Sequence, residues 1–202
     1  MTLWRGESGL VLASRSRARQ TLLGNAGIPF DLMPAEIDER RIQHDSGLVA
    51  PGDVAALLAR EKAVAVALQW PHRLVLGADQ TLCLGRQIFS KPEGRAQARA
   101  QLSTLAGATH ELHSAIAVVR DGRLVFEATG LARMMMRPLN AAQIDAYLDT
   151  AGEAVTGSVG AYQLEGLGVH LFERIEGDHF TILGLPLLPL LDFLRRERLL
   201  AV

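Results

Sequence analysis

The sequence predicts an α/β fold, a mixed sheet flanked by helices. Three observations lead there. Short apolar runs alternate with helical patterns through the first half, beginning with Leu10-Val11-Leu12-Ala13. Two alternating runs, 112–119 and 124–131, flank Asp121-Gly122, a strong signal for a two-residue hairpin. The chain has 202 residues, 49% of them hydrophobic, enough to bury a sizeable core.

Taken in order, residues 10–14 read as a buried strand and 16–26 as a helix. Gly27 and Pro29 stand where a C-cap and a stop belong. An extended run at 30–35 delivers Glu36, Asp38 and Glu39, and residues 40–52 read as a polar loop. Asp53 can cap an alanine-rich helix that runs to Trp70, where Pro71 stops it. Residues 73–78 form a continuous apolar strand ending in Asp79, and 81–84 with 87–89 suggest a hairpin through Gly85-Arg86. Pro92 opens a helix to Leu105. After the Asp121-Gly122 hairpin come a helix at 141–150, a glycine-rich loop at 157–168, a strand at 169–175 and a last helix at 186–198.

Composition excludes several classes. A formal net charge of −1 argues against a dedicated nucleic-acid binder, which would be strongly basic. Cys83 is the single cysteine, so no internal disulfide forms and a reducing cytosol is the natural compartment. The start lacks a secretory apolar region, and the apolar run 183–194 is broken by Pro186 and Pro189. There is no G-x-x-x-x-G-K-[ST], no clean G-x-G-x-x-G after a strand, no G-x-S-x-G elbow and no Cys/His set with zinc spacing.

The candidate chemistry begins at the first helix. A helix N-terminus carries partial positive charge, and each cation there costs roughly 0.3–1 kcal/mol. Yet Arg15, Arg17 and Arg19 crowd this one. An anion would resolve the conflict, bound by backbone N–H groups, the Ser14 and Ser16 hydroxyls and guanidinium groups. A solvated basic face is the rival reading. Asp79 follows an apolar strand, and ligands of open α/β sheets gather at the carboxyl ends of strands. It can hold a metal, act as a base, or merely start a turn. Asp38 and Glu39 could join it at a metal. Lys62 sits in an apolar ridge with Leu58 and Val66, where it reaches a phosphate or snorkels to water. Lys91 precedes Pro92 at an expected helix start, again unfavourable for a cation without an anion. Glu165 lies in the glycine-rich loop, suited to closing on a ligand or to plain solvation.

These residues resemble the Maf family of nucleoside triphosphate pyrophosphatases over nearly the whole chain. The matching stretches run from Leu12-Ala13-Ser14-Arg15-Ser16-Arg17-Ala18-Arg19 through Glu36-Ile37-Asp38-Glu39, Glu61-Lys62-Ala63, Gly77-Ala78-Asp79-Gln80 and Lys91-Pro92 to Gly160-Ala161-Tyr162, Glu165-Gly166 and Gly184-Leu185-Pro186. The resemblance implies one domain over 1–202, with two lobes around a central cleft. It implies an elongated mixed sheet like that of inosine-triphosphate pyrophosphatases. It also implies a cytoplasmic homodimer without nucleic-acid or membrane partners. Such an enzyme uses a divalent metal, magnesium first and manganese or cobalt as alternatives. It cleaves a nucleoside triphosphate between the α and β phosphorus atoms. Asp79 maps to the base, Glu39 with Asp79 to the metal, Arg19, Lys62 and Lys91 to the phosphate-binding cations, and Ser14 and Ser16 to the serine-rich turn.

The family has branches. One looks selective for thymidine and uridine triphosphates, with Thr after the aspartate and a later Gln-Gly. The other looks selective for 7-methyl-GTP, with Gln and Glu-Gly. Gln80 and Glu165-Gly166 are similar to the second. A carboxylate accepts two hydrogen bonds from the N1–H and 2-amino group of guanine, whereas an amide suits uracil or thymine. Ala18 occupies a position linked to base selection and follows neither branch. The family has also been linked to septum formation, so a nucleotide-binding regulator of cell division is the reading from another class.

Overall fold

The computed structural model describes residues 2–202. Among them the sheet has seven strands, ordered β2 (Phe30–Leu32), β1 (Leu10–Leu12), β3 (Val75–Leu84), β5 (Thr109–Arg120), β6 (Arg123–Met136) and β7 (Phe172–Glu176), with β4 (Gln87–Phe89) also paired to β3. The described chain divides into two compact units. One comprises 2–80, His113–Gly130 and His179–Val202; the other comprises Thr81–Leu112 and Leu131–Asp178.

In the first unit, β1 (Leu10–Leu12) lies parallel to both β2 (Phe30–Leu32) and β3 (Val75–Leu84), with Val11 opposite Val75 and Leu12 opposite Leu76. Side chains alternate across a strand, and here both faces are covered. Leu10, Leu12 and Leu76 join Leu22 and Leu23 of α1 (Arg17–Asn25) and Leu190, Phe193 and Leu194 of α7 (Leu187–Arg196). Val11, Ala13 and Val75 instead meet Ala55, Ala59 and Ala63 of α3 (Pro51–Ala67). That second contact is unusually close. A Cβ on Gly77 would lie 2.0 Å from the Ala59 carbonyl oxygen and 2.8 Å from the Ala63 nitrogen. Only glycine lets the α3 backbone settle onto β3 there, and the alanines keep the approach flat.

The second unit holds β4 (Gln87–Phe89), antiparallel to the end of β3, and β7 (Phe172–Glu176), antiparallel to β6. Helices α4 (Arg95–Leu105) and α5 (Ala141–Ala151) pack on each other. Asn140 closes α5 with a capping box: its side chain accepts from Gln143 N and its N–H donates to the Gln143 side chain. The long strands β5 (Thr109–Arg120) and β6 (Arg123–Met136) contribute residues to both units. As expected, two residues join them, Asp121 at φ 51° and Gly122 at φ 72°, which is the left-handed pair of a tight hairpin.

Several expectations are corrected. Residues 40–52 do not form a polar loop, because α2 spans Glu39–Ser46, capped by Asp38 accepting from Arg41 N at 3.0 Å and closed by Gly47 at φ 66°. No residue of α2 is buried, so it carries no apolar period to betray it. Asp79 does not end a strand. β3 continues through it because Leu82, Cys83 and Leu84 pair with β4. The helix after Lys91 begins at Arg95 behind Gly94, so Lys91 is not at a helix N-terminus and the dipole argument for it lapses. The α3 helix starts at Pro51, before Asp53. Residues 169–171, expected as strand, belong to a 3-10 turn over Leu167–Leu171, where Val169 N bonds back to Gly166 O at 3.3 Å, and the strand begins only at Phe172. The last helix is preceded by a short α6 (His179–Ile182) that the sequence reading missed.

Candidate active site

The site grows from the contact of α3 with β3. Gly77 brings the helix onto the strand, and Lys62, one residue before the contacting Ala63, reaches over the strand two residues further on. Its ammonium lies 2.6 Å from Asp79 Oδ1 and 2.8 Å from Glu39 Oε1. Asp79 is 7% exposed and Lys62 9%, while the Glu39 side chain, at the first position of α2, is half exposed. An ammonium has three donors, and two are used here. The third, together with the second oxygen of each carboxylate, has no hydrogen-bond partner among the described residues.

Burial raises the Asp79 carboxyl above its ordinary range, against the opposing pull of Lys62 and Arg19. The carboxylate is therefore a stronger base than a solvated aspartate. Beyond the oxygens that face Lys62, Asp79 and Glu39 each keep a second carboxylate oxygen, the kind of hard donor a divalent cation takes.

The three arginines at the first helix behave differently from one another. Arg15 is exposed and faces Glu36 at 3.7 Å, and Arg17 is exposed. Arg19 turns inward and is 9% exposed. Its Nε donates to Gly184 O at 2.7 Å, and its Nη1 donates to Ala78 O at 2.8 Å and to Ser14 Oγ at 2.9 Å. Burial lowers its pKa while Asp79 and Glu39 pull the other way, and an arginine stays charged throughout. Nη2 keeps no hydrogen bond among the described residues. Ser16 caps α1 by accepting from Arg19 N at 3.4 Å, and Ser14 Oγ accepts from Ser16 N at 3.3 Å. Both hydroxyls act as acceptors in these bonds, which leaves their protons to be donated. Ala18 lies half-buried on α1 between them and Arg19.

Gln80 follows Asp79 on β3 and is half-buried. Its Nε2 donates toward Ser114 Oγ at 2.8 Å, Ile182 O at 3.0 Å and Thr181 O at 3.2 Å. Ser114 and Thr181 escaped the sequence reading. A serine before the apolar stretch of β5 reads as an ordinary strand residue, and the carbonyls of α6 have no signature at all. Lys91 and Glu165 belong to the other unit, where both are exposed and Glu165 lies in the turn between two 3-10 segments. The first unit thus gathers Ser14, Ser16, Arg19, Glu39, Lys62, Asp79 and Gln80.

The described helices include none long and apolar enough to cross a membrane. The chain is similar to proteins named nucleoside triphosphate pyrophosphatase from Rhodopseudomonas palustris, 66% identical over all of both chains, and from Bradyrhizobium diazoefficiens, 64% identical over all of both. It is also 50% identical to a protein named 7-methyl-GTP pyrophosphatase from Brucella abortus, over 94% of this chain and 96% of that one. The description "Maf-like protein" matches residues 9–197, which take in every site residue above from Ser14 to Thr181, and on that match and those relatives the chain belongs to the Maf family.

Proposed function

We propose that the protein hydrolyses nucleoside triphosphates to the monophosphate and pyrophosphate, with 7-methyl-GTP as the preferred class of substrate. The observation that carries this is the Lys62 ammonium held between Asp79 and Glu39. It joins a cation for phosphate to a buried base.

Asp79 accepts a proton from the attacking water. The new P–O bond forms at the α-phosphorus, the bond to the α–β bridging oxygen breaks, and its electron pair leaves on pyrophosphate. A positioned base typically contributes about 10²–10⁴-fold. Lys62 turns its remaining N–H to a phosphate oxygen, and Arg19 Nη2 with the Ser14 and Ser16 hydroxyls meets the same chain; Lys91 adds a further cation. Such charge-assisted contacts stabilise negative charge that grows in the transition state. Asp79 and Glu39 would hold magnesium, which supplies charge neutralisation when bound.

Base choice is assigned to Glu165 and Gln80, with Ala18 close to them in role. The Glu165 carboxylate offers two acceptors to the donor edge of guanine, and the Brucella abortus relative carries the corresponding name. A cytoplasmic homodimer is the setting we assign; the lone cysteine, Cys83, supports its reducing compartment. The deciding experiment is pyrophosphate release over a panel of 7-methyl-GTP, GTP, UTP and dTTP with magnesium, followed by phosphorus NMR. Monophosphate and pyrophosphate are expected. Stepwise orthophosphate would make the cleavage assignment wrong, and absence of turnover on every triphosphate would leave a nucleotide-binding regulator.

A further inference from the structure

The helix α6 is only four residues long: His179 O, Phe180 O and Thr181 O accept from the backbone N–H groups of Leu183, Leu185 and Gly184, and side chains also reach its last two carbonyls. Thr181 O accepts from Ser114 Oγ at 2.7 Å and from Gln80 Nε2 at 3.2 Å, and Ile182 O accepts from Gln80 Nε2 at 3.0 Å. Ser114 is fully buried. The Thr181 side chain seats against a glycine: a Cβ on Gly130 would come within 2.3 Å of Thr181 Oγ1. Two residues after Ile182, Gly184 turns the chain at φ 85°, and its carbonyl accepts Arg19 Nε at 2.7 Å. A side chain at 184 would crowd the guanidinium, whose Nη2 would lie 3.2 Å from its Cβ.

We infer that Gln80 and Ser114 are positioning residues for Arg19. They pin the turn 179–184 to the strands β3 and β5, and the pinned Gly184 carbonyl fixes the rotation of the guanidinium, which leaves Nη2 as its one unbonded nitrogen. The Nε2 of Gln80 in this account works through the turn, while its Oε1 is the atom left to meet the base. Both protons on its Nε2 are taken by Ser114 and the α6 carbonyls, so only Oε1 remains for anything else. The effect of the Nε2 bonds on the substrate is then felt at the phosphates. This rests on the reading that Arg19 meets the triphosphate.

The test uses inorganic pyrophosphate, which has no base, titrated calorimetrically with magnesium into the intact protein. The variants are Ser114→Ala, Gln80→Leu, the double variant and Arg19→Lys, with folding checked by thermal melting. Loss of a hydrogen bond that orients the guanidinium should weaken pyrophosphate binding about 3- to 10-fold in each single variant. The double variant should lose less than the product of the two, because both act on one turn. In an Arg19→Lys background neither change should weaken binding further. Pyrophosphate affinity unchanged in Arg19→Lys would defeat the reading of Arg19 as a phosphate ligand. If Arg19→Lys weakens binding while Ser114→Ala and Gln80→Leu do not, or if they weaken it equally without Arg19, the positioning role is wrong. A Gln80→Leu protein with normal pyrophosphate affinity but an altered ratio of kcat/KM for 7-methyl-GTP over UTP would show that Gln80 reads the base directly. Should Gln80→Leu not fold, Gln80→Glu takes its place, since it puts an acceptor where Nε2 donates and the same outcomes apply.

Discussion

Lys62 Nζ stands 2.6 Å from Asp79 Oδ1, with both side chains almost wholly enclosed by the first unit. Neither charge would be tolerable there alone. Removing one partner from a buried pair typically costs about 3–5 kcal/mol, because the other is stranded without water or counter-ion. Lys62→Met should therefore lower the urea midpoint strongly as well as activity. The double variant Lys62→Met with Asp79→Leu should recover much of the stability and none of the turnover. Equal stability of the single variant and wild type would show that Glu39 and solvent already satisfy Asp79.

Asp79→Asn keeps the shape of the site and removes the base. Turnover should fall about 10²–10⁴-fold while nucleotide still binds. A variant keeping more than about a tenth of wild-type rate takes Asp79 out of that role. Burial raises the Asp79 carboxyl, so the acid limb of kcat/KM should lie above the ordinary aspartate value of 3.8, with activity rising as pH rises through it. A limb at or below that value would mean that Lys62 outweighs burial.

Gly77→Ala tests how tightly α3 must press on β3. The added methyl would meet backbone atoms of Ala59 and Ala63, which cannot swing aside as a side chain can. Overpacking of this kind costs about 1–3 kcal/mol, occasionally more. The helix should lift and carry Lys62 away from Asp79, so kcat should drop in protein that still melts cooperatively. Unchanged kcat in such protein would separate the close approach from catalysis.

Glu165→Gln replaces two acceptors by one acceptor and one donor. The preference for 7-methyl-GTP over UTP should shrink, and adding Gln80→Thr should shrink it further. Sites that hydrogen-bond one edge reject analogues by as much as about 10⁴–10⁵ in favourable cases, so the change is readable in kcat/KM. A wild-type preference for pyrimidines, or an unmoved ratio in the double variant, would overturn the branch assignment and leave pyrophosphate release intact.

His110 gives a prediction about stability. It is fully buried in the second unit, with Nε2 2.7 Å from Tyr162 Oη, and burial lowers its pKa from 6.5 to about 4. Between those values the unfolded chain carries a proton that the folded one refuses. Stability contributed by the neutral ring is thus present above 6.5 and is lost as pH falls toward 4. Urea midpoints measured down that window should decline, and His110→Gln should flatten the decline. An equal slope in the variant would assign the effect to other groups.

The sequence made Arg19, Lys62 and Asp79 conspicuous because each puts charge where a helix end or an apolar run disfavours it. The structure gives all three buried partners. It could not show what answers that charge. The partners of Arg19 are mostly main-chain oxygens, those of Ala78 and Gly184, and carbonyls look alike at every position. Helix α2 was hidden for a related reason: Ile42 is its single apolar residue, so no apolar period separates it from a loop. Pro92 after Lys91 signals a helix start, but Gly94 as the capping position sets that start three residues further on, at Arg95. Gly77 was legible only as part of a motif, since its role depends on what approaches it.

The first unit is assembled from three separate stretches of chain, and Leu187, Leu190, Phe193 and Leu194 close one face of its core over Leu10 and Leu12. During synthesis, at roughly 5–20 residues per second, the earliest strand must wait with the α7 side of its core uncovered, sheltered only by α1 and β3, until α7 leaves the ribosome. Nascent chains released before residue 187 would leave the part of that face under α7 permanently exposed and be natural prey for proteases and holdase chaperones. Premature termination late in the message should therefore remove the protein from the cell rather than leave a shortened enzyme.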